Sequence, residues 1–333
     1  MKIKDILAQG EPTLSFEVFP PKTEDKYESV ETAALEIAKL RPAFMSVTYG
    51  AGGGTSRYTV DIATSVKKQG VTPLAHLTCV SSTREKVHEV LEELKSHNIE
   101  NVLALRGDIP KDGRVEHDYK YASELIAEIK AAGDFCIGAA CYPEGHVESA
   151  NKTADIQHLK EKVEAGCDFV TTQMFFDNNI LYNYLYRIRE RGITVPVIAG
   201  IMPVTNAAQI SRILSMSGTY MPTRFKAIVD RFGDNPAAMK QAGIAYATEQ
   251  IIDLLANGVH HIHVYSMNHP EVARQIPAQP VGDPVEQDFV ELRRESQDVE
   301  RSLMEKLKWS DLNGTSGRSC GIWGTGGRRS RIM

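Results

Sequence analysis

The segment Asn101–Pro110, NVLALRGDIP, places ionisable groups directly after a run of apolar residues. The run Val102 to Leu105 has the length of a buried strand, and Arg106, Gly107 and Asp108 follow it at once. This pattern predicts a strand that delivers an ionisable pair to the edge of a site. From these residues alone, the alternatives are an ordinary surface turn or a simple ion pair between Arg106 and Asp108.

Three other strand-like segments carry a polar side chain that could do chemistry. Glu17 lies inside the apolar segment SFEVF, where an unpaired carboxylate is costly to bury. We therefore expect Glu17 to keep its proton, as a general acid requires, unless it pairs with a neighbouring cation for structural reasons. His76, in PLAHLT, is taken alone more typical of a core histidine than of a functional one. Gln173 has an amide that both donates and accepts, which suits recognition of a heterocycle or the capping of a strand.

Eight strand-length apolar segments alternate with segments of helical pattern. The alternation predicts a (β/α)8 TIM barrel with extra helices, and a doubly wound sheet with a smaller second domain is the alternative. The predicted strands are Thr13 to Phe19, Phe44 to Tyr49, Thr72 to Thr78, Asn101 to Leu105, Phe135 to Ala140, Asp168 to Gln173, Val195 to Ile198 and His261 to Tyr265.

The carboxyl ends of barrel strands meet at one mouth, although they are distant in sequence. Polar side chains at these ends should therefore form a ring around one cavity. The predicted ring comprises Glu17, Thr48, His76, Arg106, Asp108, Tyr142, His146, Gln173, Tyr265 and Asn268.

The composition changes near the carboxyl terminus. We expect the barrel to occupy residues 1–276, followed by a turn-rich linker and a charged arm of helical pattern at 277–312. Residues 313–333 are rich in Gly, Ser and Arg with little to bury, which predicts a disordered tail.

The overall composition excludes several function classes. Of 333 residues 42% are apolar, and the formal net charge of −5 gives no general reason to bind nucleic acid or an anionic membrane. The five cysteines are scattered without a CxxC pair, which favours reduced thiols in the cytoplasm and no metal site. No run is long enough for a secretory signal or a membrane span. Neither HExxH nor GxSxG occurs, so zinc proteolysis and serine hydrolysis have no support.

Nine segments in this order resemble methylenetetrahydrofolate reductase of the bacterial, catalytic-domain-only type, over Thr13 to Ile276. They are SFEVFPPK, SVTYGAGG, AHLTC, ALRGD, AACYPEGH, DIQHLKEKVEAG, TTQMFFD, GIMPV and HVYSMN. The resemblance implies a (β/α)8 barrel that binds FAD noncovalently. It implies a ping-pong reaction in which NADH or NADPH reduces the flavin, which then reduces 5,10-methylenetetrahydrofolate to 5-methyltetrahydrofolate. It also implies a role in one-carbon metabolism, supplying methyl groups for methionine synthesis, and a homo-oligomer.

The resemblance also implies roles for individual residues. Glu17 matches the general acid that opens the imidazolidine ring to a 5-iminium cation, and Asp108 matches the carboxylate that stabilises this cation. Folate binding is implied for Gln173, Tyr265 and Met267. The positions that match FAD contacts are Thr48, His76, Leu105, Arg106, Gly107, Asp108, Tyr121, Ala122, Ala140, Tyr142, His146, Asp155 and Lys162. Arg106 and Lys162 can meet a pyrophosphate, and Asp155 can accept from ribitol or ribose hydroxyls.

The chain departs from the family pattern at two positions. Ala207 stands where the family often has an aromatic residue that stacks on the substrate, and His269 stands where bacterial relatives carry an arginine near folate. Both departures bear on substrate affinity rather than on flavin chemistry. Two alternative functions remain, namely the same barrel working with an iron-sulfur partner subunit and a non-catalytic folate-binding barrel.

Overall fold

The computed structural model describes residues 1–21, 23–49, 56–80, 82–109 and 118–276. Its strands are β1 (Thr13–Val18), β2 (Phe44–Val47), β3 (Thr72–Thr78), β4 (Asn101–Leu105), β5 (Cys136–Cys141), β6 (Phe169–Thr172), β7 (Val197–Ile201) and β8 (His261–Tyr265). They are parallel and close into a barrel in chain order, with β1 paired to both β2 and β8. The predicted (β/α)8 barrel is confirmed, and the doubly wound alternative is wrong. The predicted linker, arm and disordered tail at 277–333 lie outside the described residues.

Helices surround the barrel and connect its strands. They are α1 (Ile3–Leu7), α2 (Tyr27–Ala38), α3 (Ser56–Lys68), α4 (Arg84–Ser96), α5 (Ala122–Ala132), α6 (Lys152–Glu164), α7 (Asn178–Glu190), α8 (Ile210–Ser217), α9 (Thr223–Phe232), α10 (Pro236–Ala256) and α11 (Pro270–Ala273). Short 3-10 segments cover Glu24–Lys26 and Ala207–Gln209. The predicted extra helices are α8 and α9, between β7 and the long α10. No helix in the described ranges combines the length and apolarity needed to cross a bilayer.

Several element boundaries differ by a few residues from the predictions, and two of these differences have a clear physical reason. β7 begins at Val197 rather than Val195, because Pro196 has no N–H to donate and contributes only its carbonyl, which accepts from Val170 N at 2.9 Å. α5 begins at Ala122 rather than Tyr119, because the Glu124 carboxylate caps the preceding backbone and accepts from the N–H of Tyr121 at 3.1 Å. Helices α1 and α11 were not predicted.

The main core lies between the strands and the surrounding helices. α4 shows how the sequence builds it, since the Thr83 hydroxyl accepts from Lys86 N at 3.2 Å and caps the first turn. Val87, Val90 and Leu91 are then buried on one face, as helical periodicity requires. The helices pack in this way on the outer face of the strands. Side chains on the inner face of the strands fill the barrel.

α1 closes the amino-terminal end of the barrel. Ile3 and Leu7 are buried against an apolar layer inside the barrel formed by Phe44, Leu74, Leu103, Cys136, Phe169 and Ile198. The Asn101 side chain fixes this helix, since its oxygen accepts from Ile3 N at 2.8 Å and its amide donates to Met1 O at 3.1 Å. α1 and this apolar layer therefore close the lower end of the barrel interior.

Candidate active site

A cavity of about 400 Å³ opens at the carboxyl end of the barrel. All members of the predicted polar ring line it except Asn268, namely Glu17, Thr48, His76, Arg106, Asp108, Tyr142, His146, Gln173 and Tyr265. Leu105, Gly107 and Ala140, which the resemblance assigns to FAD, also line it. The topology thus collects groups from distant segments in one place, as barrel strands do.

Glu17 is buried between two histidines. It points inward from β1 with 7% of its surface exposed. Its Oε2 lies 3.7 Å from His76 Nε2 and 3.9 Å from His263 Nε2. Glu17 can therefore form an ion pair with either of these histidines only when that histidine is protonated.

Each of these histidines forms a hydrogen bond with a serine. The Ser15 hydroxyl donates to Ile262 O at 3.1 Å, so its oxygen is free to accept from His263 Nδ1 at 2.7 Å. In neutral His263 the proton is then on Nδ1, and Nε2, the nitrogen nearer Glu17, is an acceptor. On the other side of Glu17, Ser46 Oγ bonds His76 Nε2 at 2.5 Å.

His76 is held neutral by its surroundings. Burial, which penalises the charged imidazolium, lowers the pKa of His76 to about 4, and the attraction of Glu17 offsets this only in part. At neutral pH the carboxyl of Glu17 therefore has no charged partner in His76.

The loop after β4 carries Arg106, Gly107 and Asp108 to the rim. The guanidinium of Arg106 pairs with Glu148 rather than with Asp108. Its two terminal nitrogens, Nη1 and Nη2, donate to the two carboxylate oxygens of Glu148 at 2.5 and 2.9 Å. Its Nε donates to Gly107 O at 3.1 Å. Gly107 has φ of 86°, a conformation that favours glycine and allows the backbone to reverse at this point. Arg106 therefore pairs with Glu148, which is 42 residues away in the sequence, and not with Asp108 as the simple ion pair considered from the sequence would require.

The loop between β5 and α6 forms one wall of the site. The Tyr142 ring meets the edge of the His146 ring at 4.7 Å, and burial raises the pKa of Tyr142 to about 12. Asp155, at the start of α6, accepts from His146 N at 3.2 Å and from Ser149 Oγ at 2.9 Å. These bonds fix the loop that presents His146 to the cavity.

The opposite wall is built by β6, β7 and β8. The Gln173 side-chain oxygen accepts from Met174 N at 3.0 Å, which orients the amide at the mouth. The Tyr265 hydroxyl donates to Thr172 O at 2.6 Å across β7. A Cβ on Gly200 would lie 2.4 Å from Thr172 O and 2.5 Å from Tyr265 Oη, so this bond requires a glycine between the two strands. Tyr265 therefore offers its ring to the cavity and its hydroxyl to the backbone.

Besides Asn268, five residues that the resemblance assigns to cofactor or folate lie outside the cavity lining, namely Tyr121, Ala122, Asp155, Lys162 and Met267. Tyr121 is half exposed and Ala122 is buried at the start of α5. Lys162 lies behind the β5 wall, where its Nζ donates to Ala140 O at 2.9 Å and burial lowers its pKa. Met267 is exposed beside Asn268, whose amide clamps the backbone of Phe19 with bonds of 2.7 and 2.9 Å.

Ser15, Ser46, Glu148 and His263 are among the residues of this site that sequence reasoning missed. The period of two along a strand was a usable signal for three of them. His263 is two residues before Tyr265, and Ser15 and Ser46 precede Glu17 and Thr48 by the same interval. Glu148 had no such signal, because its partner Arg106 is 42 residues away.

The two departures from the family pattern also lie outside the cavity lining. Ala207 is partly buried against the apolar cluster of the extra helices, and a Cβ on Gly233 would lie 3.0 Å from its Cβ. His269 is exposed and its Nδ1 lies 3.1 Å from Glu271 Oε1. A larger side chain at Ala207 would have to displace α9 or turn towards solvent.

Comparisons with known proteins agree with one another. The sequence model of the family described as methylenetetrahydrofolate reductase matches residues 2–280. Proteins named 5,10-methylenetetrahydrofolate reductase from Pectobacterium carotovorum subsp. carotovorum and Escherichia coli (strain K12) are 34% and 33% identical over 269 and 270 residues. Each alignment covers 80% of this chain and 90% of the relative.

A plant relative is longer. Methylenetetrahydrofolate reductase (NADH) 1 of Arabidopsis thaliana is 36% identical over 283 residues, which cover 80% of this chain and 48% of that protein. The chain thus spans about half of the plant relative's length. Among solved structures, an uncharacterized protein from Clostridium thermocellum that binds two copies of 5-methyl-5,6,7,8-tetrahydrofolic acid has a TM-score of 0.54 at 14% identity, over 84% of this chain and 97% of that one. At this identity the likeness concerns the fold.

Proposed function

The chain belongs to the methylenetetrahydrofolate reductase family, and from this premise we propose that it reduces 5,10-methylenetetrahydrofolate to 5-methyltetrahydrofolate. The proposed electron donor is NADH or NADPH, and the proposed cofactor is FAD, with the two substrates acting in turn. When bound, FAD would carry hydride from the nicotinamide to the folate. The remaining steps depend on side chains of this chain.

The residues around the cavity fit a flavin dinucleotide. Tyr142 and Tyr265 provide aromatic walls for a planar ring. Arg106 provides a fork that suits a phosphate, and Gly107 leaves the backbone beside it without a side chain. The hydroxyl of Thr48 and the imidazole of His146 add polar groups at the rim. In the proposal Lys162 and Asp155 support this lining from outside it. Lys162 holds the β5 wall by donating to Ala140 O, and Asp155 holds the following loop by accepting from His146 N.

One observation carries the proposed chemistry: the Glu17 carboxyl faces the cavity between the Nε2 atoms of His76 and His263. We propose that Glu17 holds a proton and donates it to the ring nitrogen of 5,10-methylenetetrahydrofolate that leaves as the imidazolidine opens. The carbon–nitrogen bond breaks, its electron pair takes the proton, and the substrate is left as a 5-iminium cation. A neutral His76 suits this role, since it would not hold Glu17 in a permanent ion pair.

Two further residues are proposed to support this step. Asp108 lies at the rim, and its negative charge would stabilise the iminium cation as it forms. The Gln173 amide, oriented by Met174 N, would hydrogen-bond the folate ring. Both residues would therefore act on the substrate and leave the proton transfer to Glu17.

The test is an anaerobic stopped-flow measurement of the two half-reactions. Flavin absorbance is followed first with NADH or NADPH and then with 5,10-methylenetetrahydrofolate, for the wild type and for Glu17→Gln. We expect the variant to keep flavin reduction and to lose about 10² to 10⁴ in the rate of reoxidation by folate, the usual contribution of a general acid.

The matched control is Glu249→Gln, which removes a carboxylate on α10 that pairs with Arg224 far from the cavity lining. It should leave both half-reactions unchanged. A wild type that holds no flavin, or a flavin that folate never reoxidises, would refute the proposed reaction. Equal losses in both half-reactions for Glu17→Gln would refute only the acid role of Glu17.

A further inference from the structure

The rim of the cavity contains an ion pair that the proposed reaction does not use. Arg106 and Glu148 form a two-pronged pair, with Nη1–Oε2 and Nη2–Oε1 distances of 2.5 and 2.9 Å. The Arg106 side chain is 24% exposed and lines the cavity, whereas Glu148 is 52% exposed and lies outside the lining. The carboxylate thus covers the guanidinium from the solvent side.

The backbone beneath Glu148 is held by hydrogen bonds that do not involve its carboxylate. Glu148 N donates to His146 Nδ1 at 3.1 Å, and His146 N donates to Asp155 Oδ1 at 3.2 Å. Ser149 Oγ donates to the same Asp155 oxygen at 2.9 Å. A short hydrogen-bonded loop therefore holds the Glu148 backbone opposite Arg106, and its half-exposed side chain can rotate away without disturbing this loop.

Arg106 has a special position among the residues around the cavity. It alone carries a permanent positive charge among the described residues that line the cavity. His76 is neutral at physiological pH, since burial lowers its pKa to about 4, and burial also lowers the pKa of His146. Among the described lining residues, Arg106 is therefore the permanent cation that an anionic group entering the cavity can meet.

A carboxylate and a phosphate compete for the same fork, because both present two oxygens to the two terminal nitrogens of arginine. We propose that Glu148 is an internal competitor for Arg106: it occupies the guanidinium fork in the unliganded protein and gives way when the diphosphate of a dinucleotide binds. Glu148 then sets the affinity for flavins that carry phosphate and leaves the affinity for riboflavin unaffected. The inference rests on the proposed function in taking FAD as the natural ligand.

The experiment compares ligands that differ only in phosphate. The full chain, freed of flavin and checked for an unchanged melting temperature, is titrated with FAD, FMN and riboflavin by flavin fluorescence, and with ADP by calorimetry. Glu148→Gln keeps the shape of the side chain and removes its charge. We expect this variant to bind FAD, FMN and ADP about two- to fivefold more tightly than wild type, the size of a partly exposed charge pair, with riboflavin binding unchanged.

Glu249→Gln is the matched control, because it breaks another two-pronged arginine pair, with Arg224 at 2.7 and 2.6 Å, away from the cavity. It should change none of the four affinities. Unchanged or weaker FAD and ADP binding in Glu148→Gln would overturn the inference, and weaker binding would make Glu148 a residue that positions Arg106. An equal gain for riboflavin would overturn it as well, since the effect would not depend on phosphate.

The ADP titration separates this inference from the proposed function. If the wild type binds no FAD but Glu148→Gln still tightens ADP, the proposed cofactor is wrong and the competition at Arg106 stands. If the wild type binds FAD and the variant shows no gain for phosphate ligands, the cofactor stands and the competition is wrong. If neither FAD nor ADP binds either protein, both proposals are overturned.

Discussion

The two ends of the barrel interior have opposite characters. At the lower end Ile3 and Leu7 of α1 pack on an apolar layer that includes Phe44, Leu74 and Phe169. At the mouth the same interior is lined by carboxyl, imidazole, hydroxyl and amide groups. One end is closed and apolar, and the other is open and polar.

The same strands supply both ends. Along β3 the inward residues change from Leu74 to His76, and along β6 they change from Phe169 to Thr171. The boundary is a direct contact, since the Phe44 ring stacks on the His263 ring with centroids 5.9 Å apart. The apolar end forms a packed layer beneath the buried polar groups of the mouth. Truncations in this layer should cause the largest losses of unfolding free energy, whereas changes at the mouth should alter ligand chemistry together with smaller or pH-dependent losses of stability.

The largest expected effect is that of Phe169→Ala at the lower end. Phe169 is fully buried, and its ring fills the space beside Gly138, where a Cβ would lie 2.5 Å from it. Removing the ring leaves a cavity, so the free energy of unfolding should fall by about 3–5 kcal/mol. Urea unfolding followed by circular dichroism measures this loss, and Phe169→Leu, which keeps most of the volume, should lose less. A stable Phe169→Ala variant with impaired flavin binding would break the contrast between the ends.

The next effect is a dependence of stability on pH that originates at the mouth. The pKa of His76 is about 4 in the folded protein, against an ordinary value of 6.5, because burial penalises its charged form. The unfolded chain therefore binds the extra proton first, and stability is lost as pH falls from 6.5 towards 4, by up to about 3 kcal/mol. Burial lowers the pKa of His146 and His261 in the same direction.

The measurement is urea unfolding at several values of pH between 7 and 4.5. His76→Gln should flatten the curve, whereas a substitution at the exposed His97 on the outside of the barrel should leave most of the slope. A slope that is identical in wild type and His76→Gln would show that the polar end does not carry this penalty.

The contrast between the ends shows what the sequence alone could predict. The fold followed from alternating apolar and helical segments, and the groups at the strand ends, such as Glu17 and Gln173, could be placed at one mouth because barrel topology requires it. His263 was predictable in the same way, because it shares a strand face with Tyr265. The pair of Arg106 with Glu148 could not be predicted from the sequence, since it depends on the path of a loop that no periodicity determines.

A smaller effect is expected for Gly200→Ala, where the mouth depends on backbone packing. The new Cβ would meet Thr172 O at 2.4 Å and Tyr265 Oη at 2.5 Å, so β7 or the tyrosine must shift. We expect a loss of about 1–3 kcal/mol in the free energy of unfolding, as in other overpacked sites. Under the proposed function, folate reoxidation should slow as well, because Tyr265 is displaced.

A double-mutant cycle tests the source of this effect. Tyr265→Phe removes the hydroxyl that the new methyl group meets, while the Thr172 carbonyl remains. Gly200→Ala should therefore be less damaging in the Tyr265→Phe background than in the wild type. If the losses of unfolding free energy from the two substitutions were strictly additive, the contact with the Tyr265 hydroxyl would not be the reason for glycine at position 200.

The smallest expected effect is that of Lys4→Met, which asks whether charge matters at the lower end. Lys4 Nζ lies 3.3 Å from Asp168 Oδ1, and the hydrogen bond to this carboxylate raises the pKa of Lys4. The lysine is 38% exposed, and Asp168 keeps a second bond, because its Oδ2 accepts from Ile137 N at 2.9 Å. Removing the charge therefore strands no buried group, and the loss should stay below about 1 kcal/mol.

Ile3→Ala, one residue away on the same short helix, provides the matched comparison. Ile3 is fully buried against the apolar layer, so its truncation should lower the free energy of unfolding by about 2–5 kcal/mol in the same urea measurement. The two variants together separate packing from charge in the attachment of α1. If Lys4→Met proved as damaging as Ile3→Ala, the lower end would depend on a salt bridge as well as on apolar packing. The two ends would then differ in ligand access but not in the kind of interaction that stabilises them.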